Sequence, residues 1–144
     1  MGKMSTINNI QDEIIDEFSG LTDWMDKYAY IIELGNAVEQ LEEKHKTPEN
    51  IIEGCQSRVW LVAEENDGKI DFRADSDAII VKGLISLLIR VLSGNTPDEI
   101  LDADLYFLKE IGLQEHLSPT RSNGLLAMIK QMRVYALAYK AKLG

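Results

Sequence analysis

The single cysteine, Cys55, has the widest chemical reach of any residue in this chain, because a thiolate is at once a nucleophile and a partner in sulfur exchange. It lies in Ile51-Ile52-Glu53-Gly54-Cys55-Gln56-Ser57-Arg58. Gly54 permits a sharp turn or the close approach of another backbone. Gln56, Ser57 and Arg58 are polar, as in a loop rather than a core. A lone cysteine is equally at home as a small core hydrophobe, so the neighbourhood, not the residue type, argues for a functional thiol. A hydrolase would need a histidine base oriented by a third group. The two histidines, His45 and His116, stand in polar and amphipathic surroundings without a hydrolase signature, and solvent-facing positions are expected for both. With no second cysteine there is no Cys-x-x-Cys couple, no intrachain disulfide and no multi-thiolate zinc or iron–sulfur site built by one copy. A thiol without a base or a resolving partner still serves as an acceptor in sulfur exchange, which asks only for access and a sufficient thiolate fraction.

Asp75 and Asp77 form the other constellation that invites chemistry, as a pair for acid–base work. Together with Ser76 they also stand where a helix N-terminus prefers capping and acidic side chains, which needs no catalysis. Arg121 stands near the start of the last helical pattern. A cation there opposes the helix dipole, so some other contact is expected to hold it. Trp24, Trp60 and the methionines are expected in the core. No glycine-rich phosphate loop and no basic patch interleaved with aromatics is present.

Composition narrows the function classes. A net charge of −9 repels phosphate backbones and anionic lipid surfaces, which disfavours nucleic acid and membrane as partners. A lone free thiol suits a reducing cytoplasm better than the secretory route. The amino end, Met1-Gly2-Lys3-Met4-Ser5-Thr6, lacks the apolar core of a signal peptide, although Gly2 and Thr6 fit the short, loose acylation pattern. The longest apolar run, Ala78 to Leu92, is too short to span a bilayer. Lys82, Ser86 and Arg90 recur at every fourth position within it, as on one side of a core helix. At 144 residues the chain is expected to form one domain, residues 1–144.

The elements follow from periodicity and punctuation. Ile7, Ile10, Ile14 and Phe18 share a helical face that ends at Gly20, and Thr22 suits the N-cap of a second helix carrying Trp24, Tyr28, Ile31 and Ile32 toward Gly35. A charged stretch, Glu39 to Lys46, leads to a loop at Thr47-Pro48-Glu49-Asn50. Val59 to Ala63 is β-branched, aromatic and apolar on both faces, as in an inner strand. Asn66-Asp67-Gly68 is a hairpin turn. Ile70, Phe72 and Ala74 then alternate with Asp71, Arg73 and Asp75. The Asn50–Glu53 segment is the candidate cover for the free edge of the first strand. Helices follow: one capped by Asp75 or Ser76 and running to Leu92, one opened by Thr96-Pro97-Asp98-Glu99, a short one over Tyr106–Ile111 ending at Gly112, and a long one from Ser118-Pro119 with Leu125, Met128, Ile129, Met132, Tyr135 and Tyr139 inward. The sum is α+β: a small antiparallel sheet of two to three strands flanked by helices.

Gly54-Cys55-Gln56-Ser57-Arg58-Val59-Trp60, followed by Asp75-Ser76-Asp77 running into Ile80-Val81-Lys82-Gly83-Leu84, closely resembles the SufE family of cysteine desulfuration proteins. Tyr30-Ile31-Ile32-Glu33-Leu34-Gly35 and His116-Leu117-Ser118-Pro119-Thr120-Arg121-Ser122-Asn123-Gly124-Leu125 are similar too, and the likeness runs from about Asp16 to Ala138. The same pattern covers CsdE-like members, which deliver sulfur to another acceptor. The resemblance implies a fold related to the IscU-type scaffolds, and it places Cys55 at the family's acceptor cysteine. It implies a SufS-type cysteine desulfurase as partner, with the pyridoxal phosphate held by that partner and no cofactor or metal in this chain. The family member accepts sulfur as a persulfide, stimulates the desulfurase and passes the sulfur to iron–sulfur assembly, with a SufBCD-type scaffold as recipient; it is a carrier rather than an enzyme. Gly54, Gln56, Ser57, Asp75, Ser76, Asp77 and Arg121 are expected to support the thiol loop or meet the partner. An acidic interaction module with an incidental thiol is the alternative. Because persulfides oxidise easily, the thiol is expected on a partly shielded loop that opens at Gly54.

Overall fold

The computed structural model of the chain describes residues 3–53 and 57–143, with side chains from Thr6 onward. Gly2 of the acylation pattern and Gly54, Cys55 and Gln56 of the thiol segment lie outside the described residues. The order of elements is α1 (Lys3–Ser19), α2 (Trp24–Asn36), β1 (Val59–Asn66), β2 (Lys69–Ser76), α3 (Ile79–Leu92), α4 (Pro97–Asp102), α5 (Phe107–Glu110), α6 (Leu113–His116) and α7 (Pro119–Leu143). Short 3₁₀ turns at Glu43–His45 and Pro48–Asn50 fill the link between α2 and β1. This is the α+β arrangement that the periodicities predict, with helices before and after one antiparallel hairpin.

The hairpin runs in register from Val59 opposite Ser76 to Asn66 opposite Lys69. Its turn places Asp67 (φ 53°) and Gly68 (φ 79°) in the left-handed region, the geometry of a two-residue loop that matches strand twist. Ile70, Phe72 and Ala74 are buried, as alternation predicts. The sheet has two strands. The Asn50–Glu53 segment does reach the outer edge of β1, but only through one bridge, Ile51 to Trp60, with the Ile52 N–H donating to the Val59 carbonyl (2.9 Å). It does not extend into a strand because Pro48 opens a 3₁₀ turn immediately before it. The outer edge of β2 is closed in the same way: Ile70 N–H donates to Asn95 O (2.9 Å) and Gly94 N–H to Ile70 O (2.7 Å).

The helix ends show where local chemistry is decisive and where it is degenerate. Thr96 accepts from Glu99 N–H (3.2 Å) while the Glu99 carboxylate accepts from Thr96 N–H (2.9 Å), the reciprocal box expected ahead of Pro97. At α2 the cap is Asp23, accepting from Met25 N–H (2.9 Å), one residue beyond Thr22; both side chain types suit that role. At α3 the cap residue is Ala78, without a side-chain cap, so neither Asp75 nor Ser76 caps that helix.

The apolar face of α3 forms the centre of the core, burying Ile80, Leu84, Ile85, Leu87, Leu88, Val91 and Leu92. Its polar stripe is tied down residue by residue. Lys82 pairs with Asp75 (3.3 Å), Ser86 donates to the Gly83 carbonyl (2.6 Å), and Arg90 forks onto both carboxylate oxygens of Glu17 on α1. Tyr30 of α2 donates to the same Glu17 (2.6 Å), and burial together with this acceptor pushes its phenol up to about 12. Among the described residues no helix is long and apolar enough to cross a membrane.

Helices α2 and α3 cross at a pair of glycines. A Cβ on Gly83 would stand 2.1 Å from the Ile31 carbonyl oxygen, and one on Gly35 would stand 2.7 Å from Gly83 N. Backbone, not a flexible side chain, fills both places, so the helices would have to part. Gly83→Ala is therefore expected to destabilise the fold by about 3 kcal/mol despite the better helix propensity of alanine. Urea unfolding checks this; a variant as stable as the native chain would show that the crossing is loose.

Candidate functional site

The segment that carries Cys55 leaves the described structure after Glu53 and returns at Ser57. On either side of it, the Ile52 N–H donates to the Val59 carbonyl at the start of β1 (2.9 Å). Ser57, two residues after Cys55 in the sequence, is the first described residue beyond it. Ser57 itself is half-buried and Glu53 is exposed.

One residue past Ser57, the loop is gripped by the turn between β2 and α3. The Asp77 carboxylate accepts from Arg58 N–H (3.1 Å) and the Asp77 N–H donates to Arg58 O (3.3 Å). The Ser76 hydroxyl donates to the same Arg58 carbonyl (2.8 Å) and accepts from Ala78 N–H (3.2 Å). Ser76 and Asp77 thus hold the backbone three residues from Cys55. These bonds have preferred direction and length, so together they restrain the loop exit against the turn.

Asp75 faces elsewhere. It is buried, and its two oxygens accept from Leu41 N–H (3.1 Å) and Ser76 N–H (2.8 Å) while meeting Lys46 (3.4 Å) and Lys82 (3.3 Å). Burial pushes its carboxyl up; the Leu41 and Ser76 N–H groups and the Lys82 ammonium outweigh that and hold it below the ordinary carboxylate value. For Lys46, burial works against the charge, and the Asp75 carboxylate overcomes it and raises the ammonium. Lys46 also stands over the Trp60 ring at 5.4 Å. Asp75 fastens the α2–β1 link and α3 to the end of β2, so its contribution to the site is structural.

A cavity of about 110 Å³ opens beside Ser57. Ala78, Ile80, Val81 and Leu84 of the α3 region and Met128 of α7 give it apolar walls, and Thr120, Arg121 and Gly124 close it from the first turns of α7. Arg121 is kept at this unfavourable helix start by Tyr28, whose ring lies 5.7 Å from the guanidinium carbon. The structure therefore brings Ser57 and Arg121 to one cavity and puts Ser76 and Asp77 on the adjoining turn. Asp75 lies apart from them. Tyr28 is not legible in the sequence as the partner of Arg121, since no local spacing links positions so far apart. Thr120, Gly124 and Val81 lie within the quoted motifs, and a motif does not say which of its residues line a space.

The histidines take no part in this cavity. His116 is exposed and stacks on Trp24 at 4.7 Å and 15°, and His45 is half-buried, 3.9 Å from Glu42. Among the described residues no three His, Cys, Asp or Glu side chains converge as metal ligands. What the arrangement offers is a small, mostly apolar recess with one cation and two hydroxyls at its edge, next to a loop bearing a thiol.

A family model described as "SufE: Fe-S metabolism associated domain" matches residues 12–136. An uncharacterized SufE-like protein of Rhizobium etli is 45% identical over 127 residues, covering 85% of this chain and 86% of the relative. Among solved structures, the solution structure of a hypothetical protein from Thermus thermophilus superimposes with a TM-score of 0.73 over 94% of this chain and 97% of that one. At 21% identity that likeness establishes a shared fold.

Proposed function

Because this chain belongs to the SufE family, we propose that it is a sulfur carrier whose Cys55 accepts a sulfane sulfur from a cysteine desulfurase. The observation that carries this reading is the position of Cys55, the sole thiol of the chain, in the segment that resembles the family's acceptor motif. In the transfer, the Cys55 thiolate attacks the outer sulfur of the partner's persulfide. A bond forms between the Cys55 sulfur and that outer sulfur as the partner's own S–S bond breaks. The outer sulfur keeps its proton, the partner departs as a thiolate, and Cys55 becomes a persulfide. No external oxidant is needed, since the sulfane sulfur brings its own oxidation level.

The pyridoxal phosphate that frees sulfur from cysteine belongs to the partner. Clearing the partner's thiol stimulates its turnover, and the carried sulfur then goes to iron–sulfur assembly on a SufBCD-type scaffold. The recess beside Ser57 suits a resting thiol or persulfide, because apolar walls exclude the peroxides and water that drive oxidation while Arg121 favours the anion. Incubation with a desulfurase and free cysteine, followed by intact-mass measurement, tests the proposal. One added sulfur, removable by reductant and localised to Cys55, is expected; an unmodified chain that still binds the desulfurase would leave only an interaction module.

Ser76 and Asp77 are proposed as the latch of the thiol loop. Asp77→Asn keeps the shape but weakens the acceptor of Arg58 N–H. The expected result is faster alkylation of Cys55 with a melting temperature lowered only slightly, by the loss of about 1 kcal/mol. A lower melting temperature with unchanged alkylation would mean that the turn is structural and does not gate the thiol.

A further inference from the structure

The charge of this chain is unevenly placed. The chain has 15 lysines and arginines against 24 aspartates and glutamates, yet α7 contains Arg121, Lys130, Arg133, Lys140 and Lys142 and no carboxylate residue at all. On the outer side of α7, Leu126 (63% exposed), Val134 (47%) and Leu137 (59%) stand free. At 3.6 residues per turn these three fall with Lys130 and Arg133 in one stripe about 100° wide. The stripe borders a groove of about 330 Å³ whose other wall includes Leu101 of α4. Three of the six large hydrophobic side chains exposed among the described residues share this strip, whereas single exposed apolar residues are ordinary.

The two cations within the stripe are not spent on carboxylates. Lys140, further along, is held by Asp98 at 2.8 Å, but among the described residues neither Lys130 nor Arg133 forms an ion pair. Arg133 donates once, from Nη2 to Ala103 O (3.0 Å), and its buried Nε has no hydrogen-bond partner among the described residues. A two-fold pairing of α7 with α7 of a second copy would bury Leu126 and Leu137 but set Lys130 against Arg133 of the other copy, cation on cation. An anionic helix meets no such conflict.

We infer that the outer stripe of α7 is a docking site for an amphipathic helix of another protein, one with an apolar ridge flanked by carboxylates. Its ridge fits between Leu101 and the Leu126–Val134–Leu137 row, and its carboxylates meet Lys130 and Arg133. Gly124 and Met128, which line the cavity beside Ser57, point from the opposite side of the same helix. A protein docked on the stripe therefore leaves the thiol loop accessible, so two partners can be held at once on two faces of α7. This inference does not rest on the sulfur-carrier proposal.

The test uses two labelled synthetic helical peptides of equal length, with leucines at helical i, i+3, i+4 and i+7 spacing and flanked either by glutamates or by lysines. Fluorescence anisotropy against the native chain is expected to show the glutamate peptide binding at least about tenfold more tightly. Lys130→Glu is expected to erase that preference. The double variant Leu126→Ser/Leu137→Ser is expected to weaken binding at least about tenfold with an unchanged melting curve, since both side chains are exposed. Equal affinity for the two peptides, or binding that these variants leave unaltered, overturns the inference. So does sedimentation of the native chain as a dimer that the serine variant dissociates, which would assign the stripe to a second copy.

Discussion

Replacing Cys55 with serine is expected to abolish sulfur acceptance completely while leaving the melting temperature and the binding of the desulfurase intact. In the proposed transfer the thiolate is both nucleophile and carrier, and serine supplies neither. Its hydroxyl stays protonated at neutral pH and forms no persulfide. Because the chain has one cysteine, no second thiol can take over. The fold should not register the change, since serine differs by one atom and the described core is built from elements on either side of the loop. Two measurements separate the parts of the claim. Intact mass after incubation with desulfurase and cysteine is expected to show one added sulfur on the native chain and none on Cys55→Ser. Desulfurase turnover is expected to rise with the native chain and to stay at its basal value with the variant, even when the variant saturates the partner. A serine variant that gains sulfur in comparable yield would move the acceptor role away from Cys55.

The second large effect belongs to Asp75. Removing its charge with Asp75→Asn leaves Lys46 and Lys82, with side chains 15% and 22% exposed, facing an amide, and puts an NH2 group where one oxygen had met an ammonium and accepted from a backbone N–H. Breaking a buried, multiply hydrogen-bonded charge pair in this way costs about 3 kcal/mol. For a chain of this size that lowers the melting temperature by roughly 10 °C. The effect has a definite pH signature. The folded-state carboxyl lies below its ordinary value, so as pH falls the unfolded chain takes up this proton first. The stabilisation is full above the ordinary carboxylate range and is lost as pH falls through the lowered folded-state value. The stability gap between native chain and Asp75→Asn should therefore be widest near neutrality and close in acid. Urea melts of both proteins across that range provide the check; a gap that stays constant would mean that Asp75 contributes through packing and not through charge.

Membership of the family was legible because its motifs are local. The glycine, the lone cysteine and the polar run by themselves leave a core cysteine and a functional thiol both open, whereas the runs Gly54–Trp60, Asp75–Leu84 and His116–Leu125 are written in consecutive residues. The same holds for the hairpin turn at Asp67–Gly68 and the capping box at Thr96–Glu99, where backbone and side chain a few residues apart settle the geometry. The long apolar period of α3 likewise announces which face is buried, because burial of one stripe dominates its stability.

Tertiary structure decided everything that depends on which distant groups meet. Alternation alone predicts an exposed Asp75, since its carboxylate follows Asp71 and Arg73 along β2. It is buried because Leu41 and two lysines from separate elements arrive to satisfy it. A helix cap and a contact to a neighbouring loop look alike in sequence, and only the folded structure shows that Ser76 and Asp77 bind the backbone of Arg58 while Ala78 takes the cap position. Nor does the motif say that Gly83 marks a helix crossing with no room for a methyl group, or that Arg121 rests on Tyr28. Sequence encodes propensity and short-range hydrogen bonding directly. Desolvation and charge pairing are sums over neighbours that the chain brings together only when it has folded.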